Sequence, residues 1–173
     1  MLLKTLGITL IIAGCGSWGL LGARRIDKRV AQIKDLRMAL GFLEKEITYI
    51  HTPLSRALER TARFCGTPVS CLFTESSKGL EAREGITAGE AWMKGLQALK
   101  NNAELKAADL DILSTAALQL GMSDVGEQKK FFSLIQEELQ IQEEKALQEV
   151  ESGRKLWAYG GFIVGAMIVL LLL

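Results

Sequence analysis

Two pairs of adjacent glutamates are the residues whose type is best suited to general acid–base catalysis. They are Glu137-Glu138 and Glu143-Glu144. Catalytic carboxylates need pKa values that are driven apart by burial or by close approach in a cleft. These glutamates lie in a segment that carries charges of both signs, which is typical of a solvated helix face. The acidic pairs therefore do not predict a catalytic site.

The other side chains with metal-binding or nucleophilic chemistry are isolated from one another. His51 is the only histidine and has no second ligand at metal-binding spacing, so we expect it to have a structural role at a helix junction. Cys65 and Cys71 form no Cys-x-x-Cys pair, and we interpret them as buried small hydrophobic residues that are not bridged. No glycine-rich phosphate loop and no nucleophile elbow occurs in the sequence. We expect no enzyme activity, no cofactor and no metal site.

Three arginines form the best candidate for a binding surface. Arg56, Arg60 and Arg63 recur at helical spacing and share one face of a predicted helix over 53–65. Such a face could meet an acidic partner or lipid headgroups, and the alternative is an ordinary solvated helix face. We take the three arginines as a candidate partner-binding face.

The charge balance argues against nucleic acid as a partner. The chain has 173 residues, with 21 Lys and Arg against 20 Asp and Glu. All the acidic residues and all but one of the basic residues fall within 24–155, so this segment is formally neutral. A nucleic-acid binder normally carries a basic excess that neutralises phosphates. The segment is long enough for one domain with its own core.

Both ends of the chain are apolar and uncharged over lengths that can cross a bilayer as helices. These segments are 5–23 and 156–173. Arg24 and Arg25 follow the first segment, and Arg154 and Lys155 precede the second. Because cationic flanks favour the cytoplasmic side, we expect two transmembrane helices that enclose a cytoplasmic domain over 24–155. The expected location is the cell membrane.

The first apolar segment also has an alternative interpretation. Ile12-Ala13-Gly14-Cys15 resembles a bacterial lipobox, and cleavage there would make the chain an exported lipoprotein scaffold with lipid on Cys15. Against this, the apolar run continues past Cys15 to Leu21, and the cations that follow it would have to be translocated. We favour the membrane helix.

The first apolar segment leads without a breaker into an amphipathic helix. Apolar residues recur in steps of three and four until the chain reaches Pro53. Two series with a spacing of seven indicate a helix that packs along a partner helix. Their members are Ile33, Leu40 and Ile47 in one series, and Leu36, Leu43 and Ile50 in the other.

Shorter helices follow, and a long one precedes the second apolar segment. Thr52-Pro53 and Thr67-Pro68 each indicate a helix start, with the threonine as N-cap. The predicted short helices cover 53–65, 68–79 and 106–120, with one more that runs from the capping box of Thr87 and Glu90 through Leu99. The last predicted helix is capped by Ser123 or Asp124 and carries Trp157 and Tyr159 near the membrane surface. The polar segment 76–85 is predicted to be a mobile loop, and Trp92 a core residue. No strands are expected, and the fold class is an all-α, antiparallel helical bundle flanked by two transmembrane helices.

A long spaced run of residues and a shorter group near residue 120 together resemble a known family. These residues are Gln32-Ile33, Leu36-Arg37, Ala39-Leu40, Leu43-Glu44, Glu46-Ile47, Tyr49 and His51-Thr52-Pro53-Leu54, with Leu120-Gly121, Asp124 and Gln128-Lys129. The pattern resembles the stage III sporulation protein AB family of endospore-forming bacteria over the whole chain. The long run from Gln32 to Leu54 is a specific signal of the family, whereas Leu120-Gly121 with the following Asp124 would be a weak signal alone. Cys15 is not part of the pattern.

The resemblance implies a component of the complex that links the mother cell to the engulfed forespore. It also implies similarity to the cytoplasmic domain of inner-membrane platform proteins of type II secretion and type IV pilus systems. The implied partners are the ATPase stage III sporulation protein AA and other stage III sporulation complex proteins, with the central domain in the mother-cell cytoplasm. A membrane-tethered coiled-coil signalling protein is the remaining alternative.

Overall fold

The computed structural model is helical throughout its regular elements. It describes the backbone of residues 2–82, 85–120 and 125–172, and the side chains of residues 25–82, 85–118, 120 and 126–153. Within these ranges the chain forms six helices and no strand, which confirms the all-α class. Among the residues whose side chains are described, no helix has both the length and the apolar character needed to cross a membrane. The segments predicted to span a membrane, 5–23 and 156–173, lie outside the residues whose side chains are described.

The chain divides into two units. One unit comprises Met1–Lys28 and Lys145–Leu173, and the other comprises Arg29–Glu144. In the first unit, a Cβ atom placed on Gly153 would lie 3.4 Å from Cδ1 of Ile26. The second unit contains the short helices and is called the helical domain below. The predicted limits 24–155 stay a prediction.

The described chain has a long helix at each end and four short ones between them. The bounds are α1 Leu2–Thr48, α2 Leu54–Phe64, α3 Val69–Glu81, α4 Ala88–Asn102, α5 Ala107–Gln119 and α6 Val125–Leu172. In the helical domain, α3 packs against both α2 and α4, and α4 packs against α5. Four predicted helices match α2 to α5 to within two or three residues at each end.

Of three capping predictions for the short helices, one is correct and two are wrong. Thr87 accepts a hydrogen bond from the backbone N–H of Glu90, and the Glu90 carboxylate accepts one from the N–H of Thr87, so the predicted capping box is present. The N-cap positions of α2 and α3 are instead Pro53 and Pro68, and neither helix has a side-chain cap. The Ser123 or Asp124 cap predicted for α6 lies outside the described residues.

The prediction of a mobile loop over 76–85 was wrong for most of its length. Helix α3 continues to Glu81, and Ser76 and Ser77 are buried in it. Each serine hydroxyl donates to a backbone carbonyl: Ser76 to Leu72 within the helix, and Ser77 to Ser55 on α2. Because these polar side chains are satisfied internally, their polarity did not indicate exposure.

The core of the helical domain is built on one face of α1. Its fully buried apolar side chains on α1 include Ile33, Leu36, Leu40 and Leu43, as the spacing of seven predicted. Ile50, the last member of that series, is 58% exposed because α1 ends at Thr48. The buried apolar residues that the other helices contribute include Leu58, Leu72, Phe73, Trp92, Leu99, Leu113, Phe132, Ile135 and Leu139.

Trp92 joins three helices in this core, which confirms its predicted role. Its ring is 1% exposed and meets Phe73 of α3 edge to face, with 5.8 Å between the centroids. Its indole N–H donates to the carbonyl oxygen of Leu113 on α5 at 2.8 Å. One turn away, a Cβ on Gly95 would collide with the Leu72 carbonyl oxygen and the Ser76 hydroxyl. Helices α3 and α4 therefore approach so closely that glycine is needed at this position.

Candidate functional site

The three arginines of the predicted binding face are exposed on α2, but two of them have internal partners. Arg63 pairs with Glu59 one turn earlier on the same helix, where both side chains are well exposed. Arg60 pairs with Glu46 of α1 at 2.9 Å. Arg56 is exposed. The three guanidinium groups share a surface, and its use as a binding face stays a prediction.

The pair between Arg60 and Glu46 fixes the junction of α1 and α2. Glu46 is only 2% exposed, and its carboxylate also accepts a hydrogen bond from the Thr52 hydroxyl at 2.7 Å. The backbone N–H of Thr52 donates to the Glu46 carbonyl at 2.8 Å. Thr52 thus stabilises the junction through Glu46 rather than by capping α2. His51 is exposed there with φ of 55°, a conformation that few non-glycine residues adopt.

A buried ion pair connects α1 to α5. The Arg29 guanidinium donates from Nε and Nη2 to the two carboxylate oxygens of Asp109, both at 2.8 Å. The side chains are 4% and 0% exposed. Asp109 also accepts from the backbone N–H of Lys106, so it serves as the acidic member of a cap at the start of α5. Nearby, Gln32 of α1 accepts from the backbone N–H of Glu104 at 2.9 Å.

Polar contacts at three levels show that α1 and α6 run antiparallel in the helical domain. Arg37 donates to Glu143 at 2.6 Å, Gln136 donates to Glu44 at 3.0 Å, and Lys129 donates to the Tyr49 hydroxyl at 3.0 Å. Positions on α6 thus fall as those on α1 rise. Lys129 also lies 5.4 Å from the centroid of the Tyr49 ring, within the range of a cation–π contact. One of the acidic pairs in the sequence is therefore partly used in helix pairing, since Glu143 binds Arg37.

A groove with apolar walls and basic side chains lies beside this helix pair. It has a volume of about 600 Å³ and is lined by Lys34, Arg37, Met38, Gly41, Phe42, Lys45, Phe64, Gln136 and Glu143. Phe42 and Phe64 stack with their centroids 4.8 Å apart and their planes at 6°. Phe64 is 54% exposed and Met38 is 48% exposed. We call the surface made by Lys34, Met38, Phe42, Lys45 and Phe64 the basic groove.

The basic groove contains a polar atom without a partner. Arg37 uses its two terminal nitrogens to bind Glu143 and Gln140, but its buried Nε has no hydrogen-bond partner. Sequence reasoning did not identify this surface, because Phe42 and Phe64 come from different helices. The steps of four from Lys34 to Met38 and Phe42 on α1 were the only available signal.

A second groove lies between α4 and α5. It has a volume of about 780 Å³, and its most exposed apolar residues are Met93 and Leu118, which are 47% and 79% exposed. Glu90 and Lys94 also line it, so it carries both signs of charge. It offers no charge preference for a partner.

The described residues do not assemble a set of metal ligands. No group of three His, Cys, Asp or Glu side chains within the described part of the chain could hold a metal ion. Cys65 and Cys71 are free thiols and only half-buried, so their predicted burial is partly right. Burial raises the pKa of the Cys65 thiol to about 11, and its Sγ donates to the Thr61 carbonyl at 3.2 Å. A protonated thiol is a poor nucleophile, which argues against covalent chemistry at Cys65.

Comparisons with known proteins give one consistent result. A family model described as stage III sporulation protein AB matches residues 4–173. A protein of Bacillus subtilis (strain 168) named stage III sporulation protein AB is 33% identical over 172 residues, which cover 99% of this chain and 100% of that protein. A solved structure of a stage III sporulation protein AB is 34% identical and superposes with a TM-score of 0.67, over 71% of this chain and 96% of that one.

Proposed function

Since the chain belongs to the stage III sporulation protein AB family, we propose that it is a non-enzymatic membrane platform of the complex that joins the mother cell to the forespore during endospore formation. In this proposal the apolar segments 5–23 and 156–173 hold the chain in the cell membrane as a two-pass protein. The segment between them lies in the mother-cell cytoplasm. There it engages a hexameric ATPase, stage III sporulation protein AA.

The observation that carries the proposal is the way α1 is tied to the other helices of its domain. Arg29 binds Asp109 of α5, Arg37 binds Glu143 of α6, and Glu46 binds Arg60 of α2. Ion pairs at three levels of one helix oppose sliding and rotation of that helix, because each pair requires a specific geometry. Hydrophobic packing alone opposes such movements less, because apolar contacts are not directional. Such a domain suits a part that transmits position or force, because a displacement of α1 displaces its partners as well.

Two sequence features support the membrane part of the proposal. The cationic residues Arg24 and Arg25 on one side and Arg154 and Lys155 on the other face the middle of the chain. By the positive-inside rule, this arrangement of cations supports a cytoplasmic location for the helical domain.

Binding to the ATPase can be tested with the full chain in lipid nanodiscs. We expect the purified ATPase to be retained on immobilised nanodiscs, and Arg56→Glu combined with Arg63→Glu to weaken this retention. Arg60 is left intact because it stabilises Glu46. The control is Lys100→Glu with Gln97→Glu, which also adds negative charge, at exposed residues on α4. Absence of retention by the wild-type chain would overturn the ATPase part of the proposal.

Membrane orientation needs a separate measurement. We expect Gln97→Cys, in a chain whose native cysteines are replaced, to react with a membrane-impermeant maleimide in inside-out vesicles and to stay unlabelled in intact cells. Labelling in intact cells would place the helical domain outside. It would favour the lipoprotein alternative with its lipid on Cys15.

A further inference from the structure

The described surface of α6 carries an acidic, partly apolar face that complements the basic groove. Leu134 and Ile141 are 51% and 50% exposed and lie seven residues apart. Glu137 and Glu144 are exposed beside them, and Glu138 is half-buried. No basic residue occurs in the sequence from 131 to 144. We call the surface formed by Leu134, Glu137, Glu138, Ile141 and Glu144 the acidic stripe.

The acidic stripe and the basic groove of one domain cannot meet each other. Gln136 and Glu143 of α6 line the groove. Leu134 and Ile141 each precede one of these residues by two positions, which is a rotation of about 160° around an α-helix. The apolar residues of the stripe, Leu134 and Ile141, therefore face away from the groove of their own domain, and a second molecule is needed to cover them.

The two surfaces match in charge, in apolar content and in length. Lys34 and Lys45 are exposed, and Met38 and Phe64 form the half-exposed apolar part of the groove between them. The lysines are separated by roughly 16 Å along α1, and the stripe from Leu134 to Glu144 extends over roughly 15 Å of α6. An apolar centre with complementary charges around it is the usual anatomy of a protein interface.

We propose that the acidic stripe of one copy of this chain docks in the basic groove of the next copy. Leu134 and Ile141 cover Met38, Phe42 and Phe64, and the glutamates lie against Lys34 and Lys45. Because the two surfaces differ, the contact is heterologous and joins copies head to tail. Repetition of the contact gives a ring if the rotation between successive copies closes. The contact adds self-assembly to the function proposed above, and it does not depend on binding of an ATPase.

Disulfide crosslinking between two differently tagged copies of the full chain tests the contact. One copy carries Met38→Cys and the other carries Ile141→Cys, both with the native cysteines replaced by alanine, and they are reconstituted together in lipid vesicles. We expect a crosslinked product that contains both tags. The matched control replaces Met38→Cys by Met93→Cys, which is similarly exposed on α4 and lies outside both surfaces.

Charge reversal then tests the chemistry of the contact. Lys34→Glu with Lys45→Glu in both copies is expected to lower the mixed crosslink roughly tenfold, as two attractive pairs become repulsive. Adding Glu137→Lys and Glu144→Lys to the same chains is expected to restore it, since the two reversed lysines then face two reversed glutamates. A purely structural defect would not be rescued in this way.

A photo-crosslinking amino acid at Met38 gives an independent measurement that retains the native cysteines. Mass spectrometry is expected to find its product on the peptide that contains residues 134–144 of another copy. The proposal fails if the Met93→Cys control crosslinks equally well, if Met38→Cys copies crosslink mainly to each other, or if charge inversion does not restore the product. It also fails if the groove crosslinks only after a purified ATPase is added, because the groove would then belong to that partner.

Discussion

Breaking the buried pair between Arg29 and Asp109 should destabilise the helical domain more than any change at its exposed ion pairs. The pair is bidentate, with both bonds at 2.8 Å, and its side chains are 4% and 0% exposed. Asp109→Ala leaves the Arg29 guanidinium buried without its carboxylate, which costs about 3 to 5 kcal/mol. The variant also loses the bond from the Lys106 N–H that caps α5, for about 1 kcal/mol more.

The expected loss is therefore about 4 to 6 kcal/mol, a large part of the 5–15 kcal/mol that is typical of a folded domain. Arg29→Met should cost about 3 to 5 kcal/mol, because it leaves a buried carboxylate. Replacing both residues, by Arg29→Met and Asp109→Ala, removes both charges and should cost only about 1 to 2 kcal/mol, mainly through the lost cap. The double-mutant cycle should thus give a coupling of about 5 kcal/mol or more.

Urea unfolding of the full chain in detergent, followed by the fluorescence of Trp92, measures these differences. Trp92 reports on the core because its ring is buried and bonded to Leu113. Trp18→Phe and Trp157→Phe remove the other two signals. The control is Arg63→Ala, which breaks an exposed pair and should change the free energy of unfolding by less than about 0.5 kcal/mol.

Two outcomes would refute this reasoning. If Asp109→Ala costs less than about 1 kcal/mol, the pair is not desolvated as its geometry indicates. If the double replacement is as unstable as Asp109→Ala, the loss arises from packing or capping and not from an uncompensated charge.

Three further predictions use the same unfolding assay or a simple extension of it. Gly95→Ala should destabilise the domain by about 1 to 3 kcal/mol because its Cβ overlaps α3, whereas Gly66→Ala, which meets nothing within 4 Å, should be nearly neutral; equal effects would contradict the close helix approach. The wild type should lose stability as pH rises from 9 towards 11, because the folded Cys65 thiol has a pKa of about 11 and stays protonated while the unfolded thiol ionises near its ordinary 9.0. Cys65→Ala should remove this loss, and parallel pH profiles of the two proteins would exclude it. Arg60→Ala should lower stability by about 1 kcal/mol, discounted for its 55% exposed side chain, while Arg56→Ala should leave stability unchanged, and the reverse order would mean that the Arg60 pair contributes little.

Local signals in the sequence were enough to predict the helices of this domain. The steps of three and four on α1 identified Ile33, Leu36, Leu40 and Leu43 as core residues, and all are fully buried. The capping box at Thr87 was found because both of its bonds join residues three positions apart. Such signals depend on neighbours in the sequence, and no distant contact is needed to read them.

The polar contacts that join the helices could not be predicted in the same way. Arg29 and Asp109 are 80 residues apart, and each has another charged residue within two positions, Lys28 beside Arg29 and Asp111 after Asp109. Both look like surface residues until a specific partner satisfies them. The same reasoning explains the error over 76–85, where two buried serines bond to backbone carbonyls. Polarity indicates exposure only where no internal partner exists.

Three ion pairs of the described part of α1 lie eight and nine residues apart, at Arg29, Arg37 and Glu46, and each joins α1 to a different helix. This spacing is roughly 12 to 13 Å along the helix, so a shift of α1 by one turn, about 5.4 Å, would break all three at once. Apolar side chains on α1 would tolerate the same shift better, because hydrophobic contact is not directional. The energy needed to slide α1 is therefore mainly the energy of breaking these ion pairs. Ion pairs of this kind oppose movement of α1 independently of α2, α5 and the domain segment of α6, which is the property that the platform role proposed above needs.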